Sequence, residues 1–365
     1  MSNLPAELAD HIRDLGPDAV TKLMRPVGVL GAARVSRVTG EWMATPGSFS
    51  GRIGRLQLFY DRDAPSAPAS VVAKFPSGDA GVRQFLGRIG CYAHEIAFYR
   101  GVAARSPLRV PCFYGAELSA DGNRFVLLLE DCTPSRLGDQ ELGANRPDAR
   151  AVVDALAVFH AAWWERADDA ALRALRRLDR GADVPALYRS GWPEFDARFG
   201  TLLPPWLRAG GPRLDTRITA LWRLMATPPL TVLHGDLRLD NLLFEGGAGD
   251  PRPIFVDWQA TALGRGMFDL AYFCAGSLAS HDIDVIEGLV HAYHDRLVVA
   301  GVRTYAWEAC WTDFRAAVAW LWARTVIAGA HLAFAAGPAR ARFGTALSRW
   351  LDLADVCDAK AILVG

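Results

Sequence analysis

Apolar residues change their spacing partway along the chain. Over the first part they recur at helical intervals (Leu8, Ile12, Leu15, Val20, Leu23, Met24), which predicts helix as far as about residue 33. From residue 35 to 75 the period shortens to two. Residues 52–60 alternate as a half-buried strand does, residues 61–70 are a Pro-, Ala-, Asp- and Ser-rich loop, and residues 71–75 form a short strand halted by Pro76. A helix carrying Glu95 is expected over 81–104, then strands over 110–114 and 124–130, the second apolar throughout, as in a central strand.

Asp131-Cys132-Thr133-Pro134-Ser135 interrupts the pattern, which places a boundary between a domain of residues 1–131 and one of residues 132–365. Beyond it the spacing is mostly helical: 149–167, 213–225, 268–278, 283–300 and 305–336. A short apolar strand over 230–233 and two more over 242–244 and 254–256 lie among these helices, the last pair flanking a Gly-rich turn. Strands first and helices afterwards predict an α+β fold, with a small β-rich N-terminal lobe and a larger, mainly helical C-terminal lobe.

Composition narrows the options. With 365 residues, 51% of them hydrophobic and 22% charged, the chain can bury a large core and suits two domains. A formal net charge of zero argues against a nucleic-acid binder. The six cysteines are scattered without a Cys-x-x-Cys pair, which fits reduced thiols in a cytoplasmic protein and no metal cluster. The apolar run 311–334 is interrupted by Asp313, Arg315 and Arg324, so it reads as a buried helix and no membrane insertion is expected.

The chemistry concentrates in His234-Gly235-Asp236-Leu237-Arg238-Leu239-Asp240-Asn241 and Val256-Asp257-Trp258-Gln259. An aspartate after a strand, an asparagine five positions later and a second aspartate after another strand are the parts a phosphoryl-transfer site needs. Asp236 is the candidate base or hydroxyl-orienting group. Asn241 and Asp257 are the candidate ligands for Mg2+, which takes hard oxygens and few protein carboxylates. Arg238 either reaches the transferring phosphate or is an exposed loop arginine. His234 holds the loop by hydrogen bonds, and Asp269 braces it from a helix N-terminus.

Of forty basic residues only Lys22, Lys74 and Lys360 are lysines, so a lysine within an apolar strand stands out. Lys74 must find anions for its ammonium, and nucleotide phosphates together with Glu95 would supply them. Residues 45–54, with Ser48, Phe49, Ser50 and Gly51, form either a turn over those phosphates or an ordinary hairpin turn.

Taken together these residues resemble the aminoglycoside phosphotransferase and choline kinase-like superfamily, and are most similar to its ecdysteroid-kinase-like branch. Gly264-Arg265-Gly266-Met267-Phe268-Asp269-Leu270-Ala271-Tyr272-Phe273, His94-Glu95-Ile96-Ala97-Phe98-Tyr99-Arg100 and Leu156-Ala157-Val158-Phe159-His160-Ala161 carry the likeness alongside the two motifs above. The resemblance implies a bilobal protein-kinase-like fold and an ATP or GTP co-substrate. It also implies Asp236 as base, Mg2+ on Asn241 and Asp257, Lys74 paired with Glu95 on the phosphates, and a purine ring held by backbone near 128–131, at Glu130 and Asp131. Glycine after His234, and no Ala-Pro-Glu segment, set the chain apart from protein kinases.

The expected partners are therefore a nucleoside triphosphate and a small hydroxylated molecule, with the chain a monomer or a homodimer. The helical lobe is rich in tryptophan and has no dense acidic run, which points to a neutral or apolar alcohol; an aminoglycoside or choline is the alternative.

Overall fold

The computed structural model describes residues 12–43, 51–179, 183–247, 249–279, 282–331 and 338–365, and the chain divides into two compact units. The first comprises Met1–Ala104 with Val110–Pro134, the second Arg105–Arg109 with Ser135–Gly365.

In the first unit, α1 (Pro17–Met24) precedes β1 (Val35–Trp42), β2 (Gly51–Tyr60) and β3 (Ser70–Pro76). Helices α2 (Ala80–Arg88) and α3 (Cys91–Ala97) follow, then β4 (Phe113–Leu118) and β5 (Phe125–Glu130). The strands form one antiparallel sheet in the order β1-β2-β3-β5-β4. Val20 and Met24 of α1 pack with Leu56, Val71, Ala73, Phe75, Val126 and Leu128 in its core. The single helix expected over 81–104 is two helices. Gly90 takes φ +80° between them, a left-handed turn that glycine adopts without Cβ strain, and a π-helical turn (Phe98–Val102) succeeds α3.

The second unit opens with β6 (Arg136–Leu137), α4 (Arg146–Trp163), α5 (Val184–Phe199), α6 (Pro205–Gly210) and α7 (Asp215–Met225). Strands β7 (Thr231–Leu233), β8 (Leu242–Glu245), β9 (Arg252–Phe255) and β10 (Ala262–Gly264) come next. Then follow α8 (Met267–Ser277), α9 (Ile283–Val299), α10 (Trp307–His331), α11 (Pro338–Val356) and α12 (Ala359–Val364). Strand β7 pairs with β10, and β8 with β6 and β9.

Helix α4 begins before residue 149 because Asn145 caps it, accepting from Asp148 N, and it ends at Trp163 rather than 167. Helix α10 packs against α5, α7, α8, α9, α11 and α12. Its interrupting charges are all matched: Asp313 by Arg265, Arg315 by the carbonyl of Cys357, Arg324 by that of Gly235. No described helix is long and apolar enough to cross a membrane. Buried Trp163, Trp192, Trp258, Trp320, Trp322 and Trp350 belong to the core. The fold is α+β, sheet first and helices after, as the spacing of apolar residues predicts.

Candidate active site

In the first unit, β3 places Lys74 between Ile53 of β2 and Leu127 of β5. Its Nζ donates to both carboxylate oxygens of Glu95 on α3, each at 2.8 Å, and both side chains are buried. A charge pair removed from water in this way is held by the matched geometry of three donors and two acceptors.

Gly51, the first residue of β2, stands beside the carbonyl of Phe75 with no room for a Cβ. Ser48, Phe49 and Ser50 lie outside the described residues. At the end of β5, Glu130 accepts from Cys112 N (2.9 Å), and Asp131 is bound by Arg55 (2.8 Å), Ser70 (3.0 Å) and Thr133 (2.7 Å). Burial opposes ionisation of Asp131, but the bonds from Thr133, Ser70 and Arg55 hold its carboxyl below the ordinary value. Both carboxylates are thus engaged within the first unit.

In the second unit, β7 leads directly into the loop carrying Asp236. His234 Nε2 contacts the carbonyl of Val256 at 2.9 Å, tying that loop to the end of β9, and Nδ1 accepts from Asp236 N at 3.3 Å. Gly235 has φ +82°, and a Cβ there would collide with the carbonyl of Ala260, so only glycine permits the turn that presents Asp236. Asp269, in the first turn of α8, accepts from His234 N (2.6 Å) and Gly235 N (2.9 Å) and meets His160 Nε2 at 3.3 Å. The two backbone donors of the turn are thereby satisfied in a buried setting.

The Asp236 carboxylate is bound on both oxygens. Tyr272 donates to Oδ1 at 2.6 Å and Asn241 Nδ2 to Oδ2 at 3.2 Å, while Arg238 Nε lies 3.6 Å from Oδ2 and Arg324 Nη2 3.9 Å from Oδ1. Burial pushes its pKa up, but Arg238, Arg324, the Tyr272 hydroxyl and His234 more than offset this, and the carboxyl sits below its ordinary value of 3.8. The Tyr272 phenol, buried and facing that charge, is pushed up to about 12 and stays a donor. Asp236 is thus an ionised hydrogen-bond acceptor at neutral pH. Arg238 is half-exposed and also lies 3.5 Å from Asp240.

Asn241 and Asp257 stand at the same end of the β8–β9 hairpin: Leu242 pairs with Phe255, and Val256 N donates to Asn241 O at 3.0 Å. Asn241 Nδ2 also binds the Asp236 carbonyl at 2.8 Å, which leaves Oδ1 as the atom for another ligand. Asp257 adopts φ +64°, ψ +67°, a left-handed conformation that costs a non-glycine residue on the order of 1 kcal/mol. Two hard oxygens from an amide and a carboxylate are a donor set that suits Mg2+. Among the described residues there is no group of three His, Cys, Asp or Glu that could hold a metal ion.

Sequence reading missed Tyr272 and Arg324. Tyr272 lies three positions after Asp269 on one helix, hence on the same face. Arg324 is an arginine within an apolar helix, which must be matched by an acceptor.

Residues 89–340 match the phosphotransferase enzyme family APH. In fold the chain is similar to the GDP and kanamycin complex of APH(2")-IIia, with 14% identity, a TM-score of 0.52 and coverage of 90% of this chain and 94% of that one. It is similar to a Plasmodium vivax ethanolamine kinase (10% identity, TM-score 0.52, coverage 86% and 82%). A choline/ethanolamine kinase family protein from Mesorhizobium loti is likewise similar (17% identity, TM-score 0.50, coverage 90% and 94%). At such identities the likeness establishes the fold, which is kinase-like. No curated protein matches the sequence.

Proposed function

Because the chain belongs to the APH family of phosphotransferase enzymes, we propose that it transfers the γ-phosphate of ATP or GTP to a hydroxyl of a small, neutral or apolar alcohol. The observation that carries this reading is Asp236: an ionised carboxylate held by Tyr272 and Asn241 at the mouth of β7, beside the hairpin end that bears Asp257. The likeness of the motifs to the ecdysteroid-kinase-like branch belongs to the same proposal.

In this mechanism Asp236 accepts the hydrogen bond of the attacking hydroxyl and orients its lone pair. A carboxyl below its ordinary value is a weak base, so the group acts chiefly by positioning and takes the proton late, as the bond to phosphorus forms. Asn241 and Asp257 would hold Mg2+, which would supply charge neutralisation on the phosphates. Lys74, kept in place by Glu95, neutralises further phosphate charge, and Arg238 is placed for the transferring group.

The choice of a neutral acceptor rests on the lack of a dense acidic run in the helical unit, and two of its acids, Asp169 and Asp282, are already engaged. Asp169 is engaged by Arg105 in a two-pronged pair at 2.7 and 2.8 Å, and Asp282 caps α9. Neither offers a free carboxylate cluster to a polycation such as kanamycin.

The test is a screen of hydroxylated compounds with ATP and GTP in Mg2+, read by nucleoside-diphosphate release, beside Asp236→Asn. The variant is expected to lose turnover by about 10³-fold or more while its nucleotide affinity stays within a few fold. Undiminished turnover in the variant would remove Asp236 from its assigned role.

A further inference from the structure

Arg324 lies well inside α10, a helix whose neighbouring positions Trp320, Leu321, Trp322 and Ala323 are buried and apolar. Its guanidinium reaches three features around Asp236 at once. Nη1 donates to the carbonyl of Gly235 at 2.6 Å. The flat cation lies over the Tyr272 ring, 4.6 Å from its centroid, with Phe268 at 5.7 Å. Nη2 stands 3.9 Å from Asp236 Oδ1, outside hydrogen-bond range but close enough to feel the charge.

The bond to Gly235 matters because that carbonyl belongs to the peptide joining Gly235 to Asp236. Glycine in the left-handed region imposes little steric resistance to rotation of this peptide plane. Asp269 tethers the preceding plane through Gly235 N, whereas the N–H of the Gly235–Asp236 plane has only the long 3.3 Å contact with His234 Nδ1. Arg324 therefore makes the short tether on the plane from which Asp236 projects. By covering the Tyr272 ring it also restrains the hydroxyl that binds Oδ1.

We propose that Arg324 is a positioning residue: acting through the Gly235 carbonyl and the Tyr272 ring, it fixes the direction in which the Asp236 carboxylate meets the acceptor hydroxyl. This inference rests on the phosphotransferase reading of Asp236 and adds a control on turnover from α10, 89 residues beyond the turn it holds. Misplacing an orienting group by an ångström lowers a rate on the order of 10²-fold, and such a loss falls on kcat rather than on nucleotide binding. Lysine would keep the charge and an ammonium donor group but not the planar guanidinium face.

The experiment measures kcat and KM for the nucleotide in Mg2+-dependent diphosphate release, with water or a hydroxylated compound as acceptor. It compares the parent chain with Arg324→Ala, Arg324→Lys and Asp236→Asn. Arg324→Ala is expected to lower kcat by about 10²-fold with the nucleotide KM within about twofold, Arg324→Lys to fall between, and added guanidinium ion at low millimolar concentration to restore part of the alanine variant's kcat. Combined with Tyr272→Phe, the loss should be smaller than the product of the single losses, since both act on one carboxylate.

Turnover in Arg324→Ala within threefold of the parent would end the proposal. So would a kcat and KM that deteriorate together with thermal stability and are unmoved by guanidinium, the pattern of a brace for packing alone. Where the alanine form does not fold, the lysine form decides, and full turnover in it overturns the assignment. A fully active Asp236→Asn marks failure of the underlying phosphotransferase reading, whereas an active Arg324→Ala beside an inactive Asp236→Asn marks failure of this inference only.

Discussion

At the scale of single residues, the two carboxylates that matter most are held in opposite ways. Glu95 is wholly enclosed and meets the Lys74 ammonium through both oxygens, whereas Asp236 is partly open and answers a phenol, an amide and two guanidinium groups. The first arrangement is unforgiving. Replacing Glu95 by Gln removes a negative charge 2.8 Å from the buried Lys74 ammonium, and loss of one partner of a buried pair costs on the order of 3–5 kcal/mol. Glu95→Gln is therefore expected to lower the denaturant midpoint markedly and to weaken nucleotide binding together with it. A variant as stable as the parent in urea would show the pair to be less enclosed than its geometry indicates.

At the scale of elements, the turn between β7 and the short helical segment before β8 is held from α8 by Asp269. Asp269→Ala would leave His234 N and Gly235 N buried without acceptors, at roughly 1–3 kcal/mol each. It should reduce turnover and stability together, by a fall in the thermal midpoint that Asp236→Asn does not share. A turnover loss with an unchanged midpoint would mean that water replaces the lost carboxylate. Much of this was readable from the chain alone. Alternation marked β2, the apolar run marked β5, and Asp269 at the head of an apolar helix suggested a brace. What could not be read has physical reasons. The helix over 81–104 breaks at Gly90, where a left-handed residue turns the backbone while the apolar spacing continues on both sides. Strand β10 is three residues long, too short for a periodicity, and exists because β7 supplies its partner. Tyr272 and Arg324 reach Asp236 and Gly235 from 36 and 89 residues away, a pairing that local patterns do not encode.

At the scale of the whole molecule, acid sensitivity follows from several carboxylates held below the ordinary value of 3.8. Asp236 and Asp131 are held down by their partners against burial, Asp121 lies at about 2 through bonds from Ser119 and Asn123, and Asp169 is lowered by Arg105. Each binds a proton less readily folded than unfolded, so its stabilisation is fully present above pH 3.8 and is lost as pH falls through the folded values. These groups therefore contribute no slope to the thermal midpoint between pH 8 and about 5, and a decline below about 4 is expected. A midpoint already falling between pH 7 and 6 would point to other groups. The left-handed backbone of Asp257 bears on the molecule in a different currency. A glycine there would relax the chain yet delete the carboxylate oxygen that the proposed function assigns to Mg2+, so on that proposal durability and reactivity pull this position in opposite directions. Under the magnesium role proposed for Asp257, Asp257→Gly is expected to trade turnover for stability.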